Sequence, residues 1–296
     1  MQKKIIILCT VILIVVMEAL FALIGALMPG PFTGTVTDAE TNEPIANVSV
    51  SDGRNVVKTD ENGAYTLPGY SKSRFVTVTT PAGYWTENYY IPVTKDRETY
   101  DFRLDKSEKT AQADHSFLQI SDSEIGAKGV GAWIEHVRDT VKETDPAFLI
   151  HTGDICYEDG LKQHIKDMNT EYMGVPVRYV IGNHDYVAGK YGEALFESIY
   201  GPVWYSFDVG NVHYVVTPFQ TGADYASGYN KNDRWKWLEN DLANVEPGMK
   251  VVMFNHTKAP SDDYVLSYGL KKLDLKEHDL IAWVYGHYHY NYITET

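Results

Sequence analysis

Two patterns of apolar and polar residues divide the chain. Between residues 32 and 104, runs in which apolar and polar residues alternate, such as Thr33–Asp38 and Phe75–Thr79, are separated by turn-forming clusters. An alternation with a period of two predicts short antiparallel strands, and several of them at close spacing predict an all-β sandwich. From residue 115 onwards, wholly apolar runs alternate with helical patterns, which predicts a layered α/β domain.

The second region contains six apolar runs, and most of them end at a side chain that can bind a metal. The runs begin at Phe117, Ala147, Val177, Val212, Val251 and Leu280. Helical patterns at Trp133–Val141 and Trp235–Leu242 separate several of these predicted strands. In a layered α/β domain the ligand site lies beyond the carboxyl ends of the strands. We therefore expect the polar residues that follow the runs to meet at one edge.

The N-terminal 30 residues predict export. Lys3 and Lys4 precede an apolar stretch that is interrupted by Glu18 and continues to Met28. The stretch is long enough to cross a bilayer, which takes about 20 residues. Lysines before it predict that the rest of the chain is translocated. Because no small-x-small cleavage site stands before Pro29, a membrane anchor is favoured over a cleaved signal peptide. We expect a periplasmic or extracellular protein that is tethered to the membrane.

Charge and cysteine content exclude some classes of function. The chain has 40 acidic and 26 basic residues and a formal net charge of −14, so we expect no nucleic-acid partner. An acidic protein can still act on phosphates if it carries metal cations. The two cysteines, Cys9 and Cys156, provide no disulfide framework. We interpret Cys156 as a buried small residue rather than a nucleophile.

The polar residues at the predicted strand ends form a mixed set of oxygen and nitrogen donors. They are Asp122, Glu124, Asp154, Asn183, His256, His287 and His289. Such a set suits two borderline divalent cations better than one structural zinc, which would favour cysteines. A carboxylate shared by both cations holds them about 3.5–4 Å apart. Each motif alone also fits a turn or a helix cap, but their joint placement indicates a dinuclear metal centre.

The order of these motifs resembles the calcineurin-like metallophosphoesterase superfamily over residues 115–296. The motifs are Asp-x-Glu, Gly-Asp, Gly-Asn-His-Asp, Asn-His and Gly-His-x-His. The resemblance implies a four-layer α/β/β/α sandwich that hydrolyses a phosphate mono- or diester through a dinuclear metal centre and a bridging hydroxide. Residues 32–104 are similar to the carboxypeptidase regulatory-like, or transthyretin-like, β-sandwich of exported bacterial proteins, which implies no chemistry. We place a polar linker at residues 105–114 between the two domains.

The resemblance also implies a role for each motif residue. Asp122 and His289 would bind the first cation, Asp154 would bridge, and Asn183, His256 and His287 would bind the second cation. His184 would not be a ligand but would lie beside the scissile phosphate. The cations would be manganese, zinc, iron or magnesium. Glu124 replaces the histidine of the family's first motif; we expect it to bind metal and to favour harder ions, although it would leave that site weak if it faced away.

A second departure concerns the residue that orients the catalytic histidine. The family often carries a carboxylate three residues after the bridging aspartate, and this chain has Tyr157 there. Glu158, Asp159 or Asp185 would have to replace it, or no residue does. We take His184 and Asp185 as the predicted catalytic residues.

The sequence therefore predicts an exported phosphoesterase that acts on a small phosphate ester or a lipid head group. The alternative is a surface-binding protein with a degenerate, non-catalytic phosphoesterase domain, which Glu124 and the missing carboxylate would support. The chain ends seven residues after His289, whereas relatives commonly carry further strands. A C-terminal truncation of the domain is thus a second open alternative. The sequence leaves the oligomeric state open.

Overall fold

A computed structural model describes residues 30–124, 130–187, 192–218, 231–291 and 293. The predicted N-terminal anchor, residues 1–30, lies outside the described residues apart from Gly30. Within the part of the chain that the structure describes, no helix is both long enough and apolar enough to cross a membrane.

The first region is all-β, as predicted. Its strands are β1 (Phe32–Asp38), β2 (Ser49–Ser51), β3 (Val56–Lys58), β4 (Ala64–Leu67), β5 (Phe75–Val78), β6 (Tyr84–Trp85), β7 (Tyr90–Pro92) and β8 (Phe102–Lys106). They form two four-stranded sheets with the orders β4-β1-β8-β6 and β3-β2-β5-β7. The expectation of purely antiparallel strands is wrong at one place, because β1 and β8 pair in parallel. The strands β6 and β7 are too short to show a period in the sequence.

The segment predicted as a linker is packed between the two regions. It contains the end of β8 and a one-turn helix, α1 (Glu108–Ala111). Ser107 caps this helix, since its hydroxyl accepts the N–H of Thr110 at 3.3 Å. The buried Thr110 hydroxyl donates to the carbonyl of Tyr84 in the first region, and the Thr110 carbonyl accepts the N–H of Gly210 in the second. The connection therefore has tertiary contacts on both sides.

The second region alternates strands and helices. Its elements are β9 (Phe117–Ile120), α2 (Gly131–Thr144), β10 (Phe148–His151), α3 (Glu158–Asp167), α4 (Thr170–Met173), β11 (Val177–Tyr179), α5 (Ala194–Tyr200), β12 (Tyr205–Val209), β13 (Val212–Val216), α6 (Lys231–Ala243), β14 (Lys250–Phe254), β15 (Val265–Tyr268), β16 (Lys271–Asp274) and β17 (Leu280–Val284). One sheet has the parallel order β11-β10-β9. The other has the order β12-β13-β14-β17, in which β12 and β13 form an antiparallel hairpin. The sequence did not predict the β15–β16 hairpin.

Alternate residues of the central strands face different layers. Phe148 and Phe254 belong to an aromatic interior between the two sheets, where the Phe148 ring lies 4.9 Å from that of Tyr214. Their neighbours Leu149 and Met253 belong to the cluster that contains the apolar faces of α2 and α6. A period of two in a doubly covered strand produces this division. The predicted layered α/β fold is confirmed.

The two regions meet at an interface that we call the seam. Arg178 of β11 is 1 % exposed, and its guanidinium carbon lies 3.6 Å from the ring centroid of Trp85 and 4.1 Å from that of Tyr89. Its Nη2 donates to the carbonyl of Thr86 at 3.2 Å. Since β11 runs directly into the loop that carries His184, the first region supports the strand that leads to the candidate site.

Candidate metal centre

The loops that follow the strands are joined by backbone hydrogen bonds. The N–H of Asp122 donates to the carbonyl of Gly153 at 3.0 Å, and the N–H of Glu124 donates to that of Asp154 at 3.1 Å. The N–H of Gly286 reaches the carbonyl of His256 at 3.2 Å. The polar motifs of distant segments are thereby held side by side at the carboxyl edge of the two sheets.

Left-handed backbone conformations are concentrated in these loops. Seven non-glycine residues of the site have positive φ angles: Asp122 (52°), Glu124 (42°), Asp154 (54°), Cys156 (77°), Tyr157 (53°), His287 (75°) and His289 (56°). Such a conformation costs about 1–3 kcal/mol per residue and persists where the surroundings enforce it. The cost is consistent with side chains that are held for function rather than for local stability.

Two glycines allow the loops to approach closely. A Cβ atom at Gly182 would lie 2.2 Å from both the backbone nitrogen and Oδ1 of Asp154. A Cβ atom at Gly286 would lie 1.8 Å from Oγ of Ser121 and 2.6 Å from Oδ2 of Asp122. Glycine is therefore required at both positions by the packing of neighbouring loops.

Asp154, His256 and His287 form one group of possible ligands, whose donor atoms all lie within 4.8 Å of one another. Oδ2 of Asp154 lies 3.1 Å from Nε2 of His256. Nδ1 of His256 lies 2.8 Å from the carbonyl oxygen of Thr152, so we assign the ring proton to Nδ1 and leave Nε2 available as a ligand. Oδ1 of Asn183 is buried and has no hydrogen-bond partner among the described residues. This unsatisfied oxygen fits a site for a divalent cation.

The predicted ligands of the first cation also converge. Nε2 of His289 lies 3.6 Å from Oδ1 of Asp122 and 3.7 Å from Oε1 of Glu124. Both oxygens of Asp122 accept the N–H of His287, at 3.0 and 2.8 Å, so this carboxylate also orients the His287 loop. The Glu124 carboxylate points towards the group and not away from it. The structure thus brings the seven sequence-predicted ligands to one edge, and their donor types fit divalent cations.

His184 lies beside this group. Its backbone N–H donates to Oδ1 of Asp154 at 2.9 Å, and its ring stacks on Tyr157 with the centroids 5.6 Å apart. Nδ1 of His184 lies 3.4 Å from Sγ of Cys156, 3.7 Å from Oε1 of Glu124 and 3.8 Å from Oδ2 of Asp154. The side chain is 35 % exposed, so solvent or a substrate can reach it.

The Asp185 carboxylate binds backbone N–H groups of two site loops, which is not the placement expected of a residue that orients a catalytic ring. Its carboxylate is buried and accepts the N–H groups of Asp154 at 3.0 Å, Cys156 at 2.9 Å and Gly182 at 2.8 Å. Burial raises the pKa of Asp185 to about 6, although the hydrogen bonds from Cys156 and Gly182 oppose this rise. Asp185 therefore joins two site loops, and its predicted catalytic role stays a prediction.

Burial and neighbouring charges shift the pKa values of several groups in the site. Burial raises the pKa of Asp154, but His256 and the N–H of His184 outweigh burial and hold it below its ordinary value. Burial lowers the pKa of His256, but Asp154 outweighs burial and holds it above its ordinary value. Burial, followed by the charges of Asp154 and Asp185, raises the pKa of the Cys156 thiol. The site therefore favours positive charge at its centre.

A buried histidine supports the first loop from behind. His151 is fully buried; its Nδ1 accepts the N–H of Gly153 at 3.2 Å, and its Nε2 lies 2.9 Å from the hydroxyl of Ser123. Since Nδ1 is an acceptor, Nε2 carries the proton and donates to Ser123. Ser123 stands between Asp122 and Glu124, so His151 fixes the loop that carries both carboxylates.

Sequence reasoning placed Cys156 outside the chemistry of the site. The predicted burial is confirmed, but the thiol belongs to a second group of possible ligands with Glu124 and His184, whose donor atoms lie within 4.8 Å of one another. The sequence could have indicated this placement, because Cys156 follows Asp154 by two residues in the same loop.

Comparison with known families gives two matches along the chain. Residues 115–291 match the family described as calcineurin-like phosphoesterase. Residues 30–107 match the family described as the N terminal of calcineurin-like phosphoesterase. The likeness of that region to carboxypeptidase regulatory-like domains stays a prediction.

Comparison with solved structures finds the crystal structure of a dimetal phosphatase from Danio rerio. The two chains are 14 % identical with a TM-score of 0.37, and the similarity covers 48 % of this chain and 69 % of that one. No curated protein matches the sequence.

Proposed function

Because this chain belongs to the calcineurin-like phosphoesterase family, whose members hydrolyse phosphoric esters, we propose that it cleaves a phosphate mono- or diester at the carboxyl edge of its two sheets. The observation that carries the proposal is the group Asp154, His256 and His287. Three donors from separate loops come within reach of one cation there. Asn183 precedes His184, whose backbone N–H donates to Asp154, and its buried Oδ1 has no hydrogen-bond partner among the described residues.

The residues divide into two sets of ligands around Asp154. Asp122, Glu124 and His289 would hold one divalent cation, and Asn183, His256 and His287 would hold the other. Two cations bound there would polarise the phosphoryl oxygens and supply an activated water. Manganese, zinc, iron and magnesium all accept carboxylate and imidazole donors, and the additional carboxylate of Glu124 favours the harder ions.

His184 would assist departure of the leaving group. The hydrogen bond from its backbone to Asp154 holds it against the ligand set, and its ring is accessible to a substrate. A protonated imidazole donates a proton to the leaving oxygen, and such general-acid assistance accelerates a reaction by about 10²–10⁴-fold. The stacking of Tyr157 on the ring restricts its orientation.

The test is hydrolysis by the purified full chain. A panel of mono- and diesters is assayed with manganese, zinc, iron or magnesium, and bound metal is measured separately. The proposal expects bound metal and turnover of at least one ester. Absence of both would favour the binding-protein alternative.

His184→Ala tests the assigned proton transfer. With manganese as the only added metal, we expect turnover to fall by about 10²–10⁴-fold while the manganese content is unchanged, because His184 is assigned a proton transfer and is not a ligand of the dinuclear centre. His136→Ala, at an exposed position of α2, is the matched control and should leave both measurements unchanged. Loss of manganese from His184→Ala would contradict the assigned role.

We further propose that the protein is exported and tethered to a membrane, with a phosphate-ester small molecule or a lipid head group as its substrate. The support is the pair Lys3 and Lys4 before a long apolar stretch. Fractionation of bacterial cells that express the full chain is the test, with residues 31–296 as the control. Recovery of the full chain in the cytosol would contradict the proposal.

A further inference from the structure

The donors Glu124, Cys156 and His184 have the spacing of ligands around a single cation. Sγ of Cys156 lies 3.4 Å from Nδ1 of His184, and Oε1 of Glu124 lies 3.7 Å from the same nitrogen. All three donor atoms lie within 4.8 Å of one another. They combine a thiol, a carboxylate and an imidazole, whereas the ligands of the proposed dinuclear centre include no sulfur.

These separations agree with the geometry of zinc. With Zn–S of about 2.3 Å and Zn–N of about 2.0–2.1 Å, a tetrahedral angle places sulfur and nitrogen about 3.5–3.6 Å apart. With Zn–O of about 2.0–2.2 Å, nitrogen and oxygen are about 3.3–3.5 Å apart. The measured distances of 3.4 and 3.7 Å lie within a few tenths of an ångström of these values. For these two pairs of donors, a cation would therefore need only small side-chain movements.

The thiol determines which cations this group would select. Thiolate ligands favour zinc and softer ions, whereas magnesium and manganese prefer oxygen. Binding would transfer the thiol proton of Cys156 to solvent and form one metal–sulfur bond, with no change of oxidation state. Glu124 and the His184 ring are both partly exposed, so a cation can enter from the solvent side.

We propose that Glu124, Cys156 and His184 form an additional site for a zinc-class cation, which shares Glu124 with the dinuclear centre, and that occupancy of this site inhibits the enzyme. Inhibition rests on the proposed function, because the cation would occupy Nδ1 of His184 and withdraw Glu124 from the dinuclear centre. A metallated ring cannot become the imidazolium that protonates a leaving group. The same chain would then be active with manganese or magnesium and inhibited by excess zinc.

Cobalt(II) provides a direct test of the thiolate ligand. The metal-depleted full chain is titrated with cobalt(II), and thiolate-to-cobalt charge transfer is followed in the near-ultraviolet absorption spectrum. We expect the band in the unmodified chain and in Cys9→Ser, and its loss in Cys156→Ser. Circular dichroism confirms that each variant is folded. A missing band in the unmodified chain, or a band that Cys156→Ser retains, would overturn the proposed site.

Zinc inhibition tests the consequence of binding. Activity with saturating manganese is measured as zinc is added, and each variant is compared with its own zinc-free rate. We expect the half-inhibitory zinc concentration to rise at least tenfold in Cys156→Ser and to stay unchanged in Cys9→Ser. An unchanged value in Cys156→Ser would overturn the inhibitory role. A chain without activity in any metal would instead contradict the proposed function, and the cobalt spectrum would still test the site.

Discussion

The candidate metal centre and the seam both bury charged side chains, but they satisfy them differently. At the seam, Nδ1 of His213 lies 2.6 Å from Oδ1 of Asp208, and its Nε2 lies 3.0 Å from Oδ2 of Asp241. Asp241 also accepts the hydroxyl of Ser206 at 2.7 Å, and Ser206 contacts Thr79 of the first region at 2.9 Å. The network is closed, because each ring nitrogen has a carboxylate partner.

At the candidate metal centre, donors from separate loops face one another. Several carboxylates and imidazoles approach one another at 3.1–3.9 Å, and Oδ1 of Asn183 is unsatisfied among the described residues. The loops there carry left-handed non-glycine residues, whereas Asp208, His213 and Asp241 of the closed network lie on regular strands and on α6. The contrast separates a charge network that stabilises the fold from one that is held ready for cations.

Asp154→Asn should have the largest effect, because it would change the carboxylate that is proposed to bind both cations. We expect loss of bound metal and a fall in turnover of about 10³-fold, since metal-ion catalysis supplies several kcal/mol. Metal analysis and ester hydrolysis measure the two effects. Asp139→Asn, at an exposed position of α2 where Asp139 pairs with Lys142, is the control and should change neither. Retention of metal by Asp154→Asn would contradict the role of Asp154 as a metal ligand.

His213→Ala would break the closed network. It should lower the free energy of unfolding by about 3–5 kcal/mol, because two carboxylates would be left without their buried cationic partner. Denaturant unfolding measures the change. Metal content should be retained, because the seam residues are not metal ligands. His136→Ala is the exposed control and should unfold as the unmodified chain does.

We expect the contribution of His213 to the free energy of unfolding to depend on pH. Burial lowers the pKa of His213, but Asp241 and Asp208 outweigh burial and raise it from 6.5 to about 10. A raised pKa in the folded state means that the stabilisation is complete below pH 6.5 and is lost as pH rises through about 10. The difference in unfolding free energy between the unmodified chain and His213→Ala should therefore shrink between pH 6.5 and 10. A constant difference would contradict a charged His213.

Arg178→Ala tests the aromatic part of the seam. We expect a loss of about 3 kcal/mol in unfolding free energy, because a desolvated cation–π contact with Trp85 and Tyr89 is replaced by a cavity. Arg103→Ala, at an exposed position of β8, should cost much less. An effect of Arg178→Ala no larger than that of Arg103→Ala would show that the seam does not depend on this contact.

Gly286→Ala should have the smallest effect, because it would perturb the candidate metal centre only through packing. Its methyl group would displace Ser121 and Asp122. We therefore expect metal affinity to fall by about 10–100-fold, as it does when a group that orients a metal ligand is changed. Gly131→Ala is the matched control, because among the described residues no heavy atom lies within 4 Å of a Cβ built there. Equal metal affinity in the two variants would contradict the close approach at Gly286.

Much of the fold followed from local patterns. The apolar runs at Phe117, Val212 and Val251 became β9, β13 and β14, and the helical patterns became α2 and α6. The hairpin β15–β16 and the short strands β6 and β7 did not follow from the sequence, because they are too short or too polar for a period to be read. Their formation depends on pairing with neighbours that only the folded chain supplies.

The sequence by itself determined the composition of the metal centre, because donors such as Asp154, Asn183 and His256 stand directly after strands whose carboxyl ends share one edge. Only the tertiary structure decided that Glu124 faces His289, that Cys156 approaches His184, and that Arg178 lies between Trp85 and Tyr89. Those contacts depend on left-handed loop conformations and on packing between distant segments, and neither leaves a periodic signal in the chain.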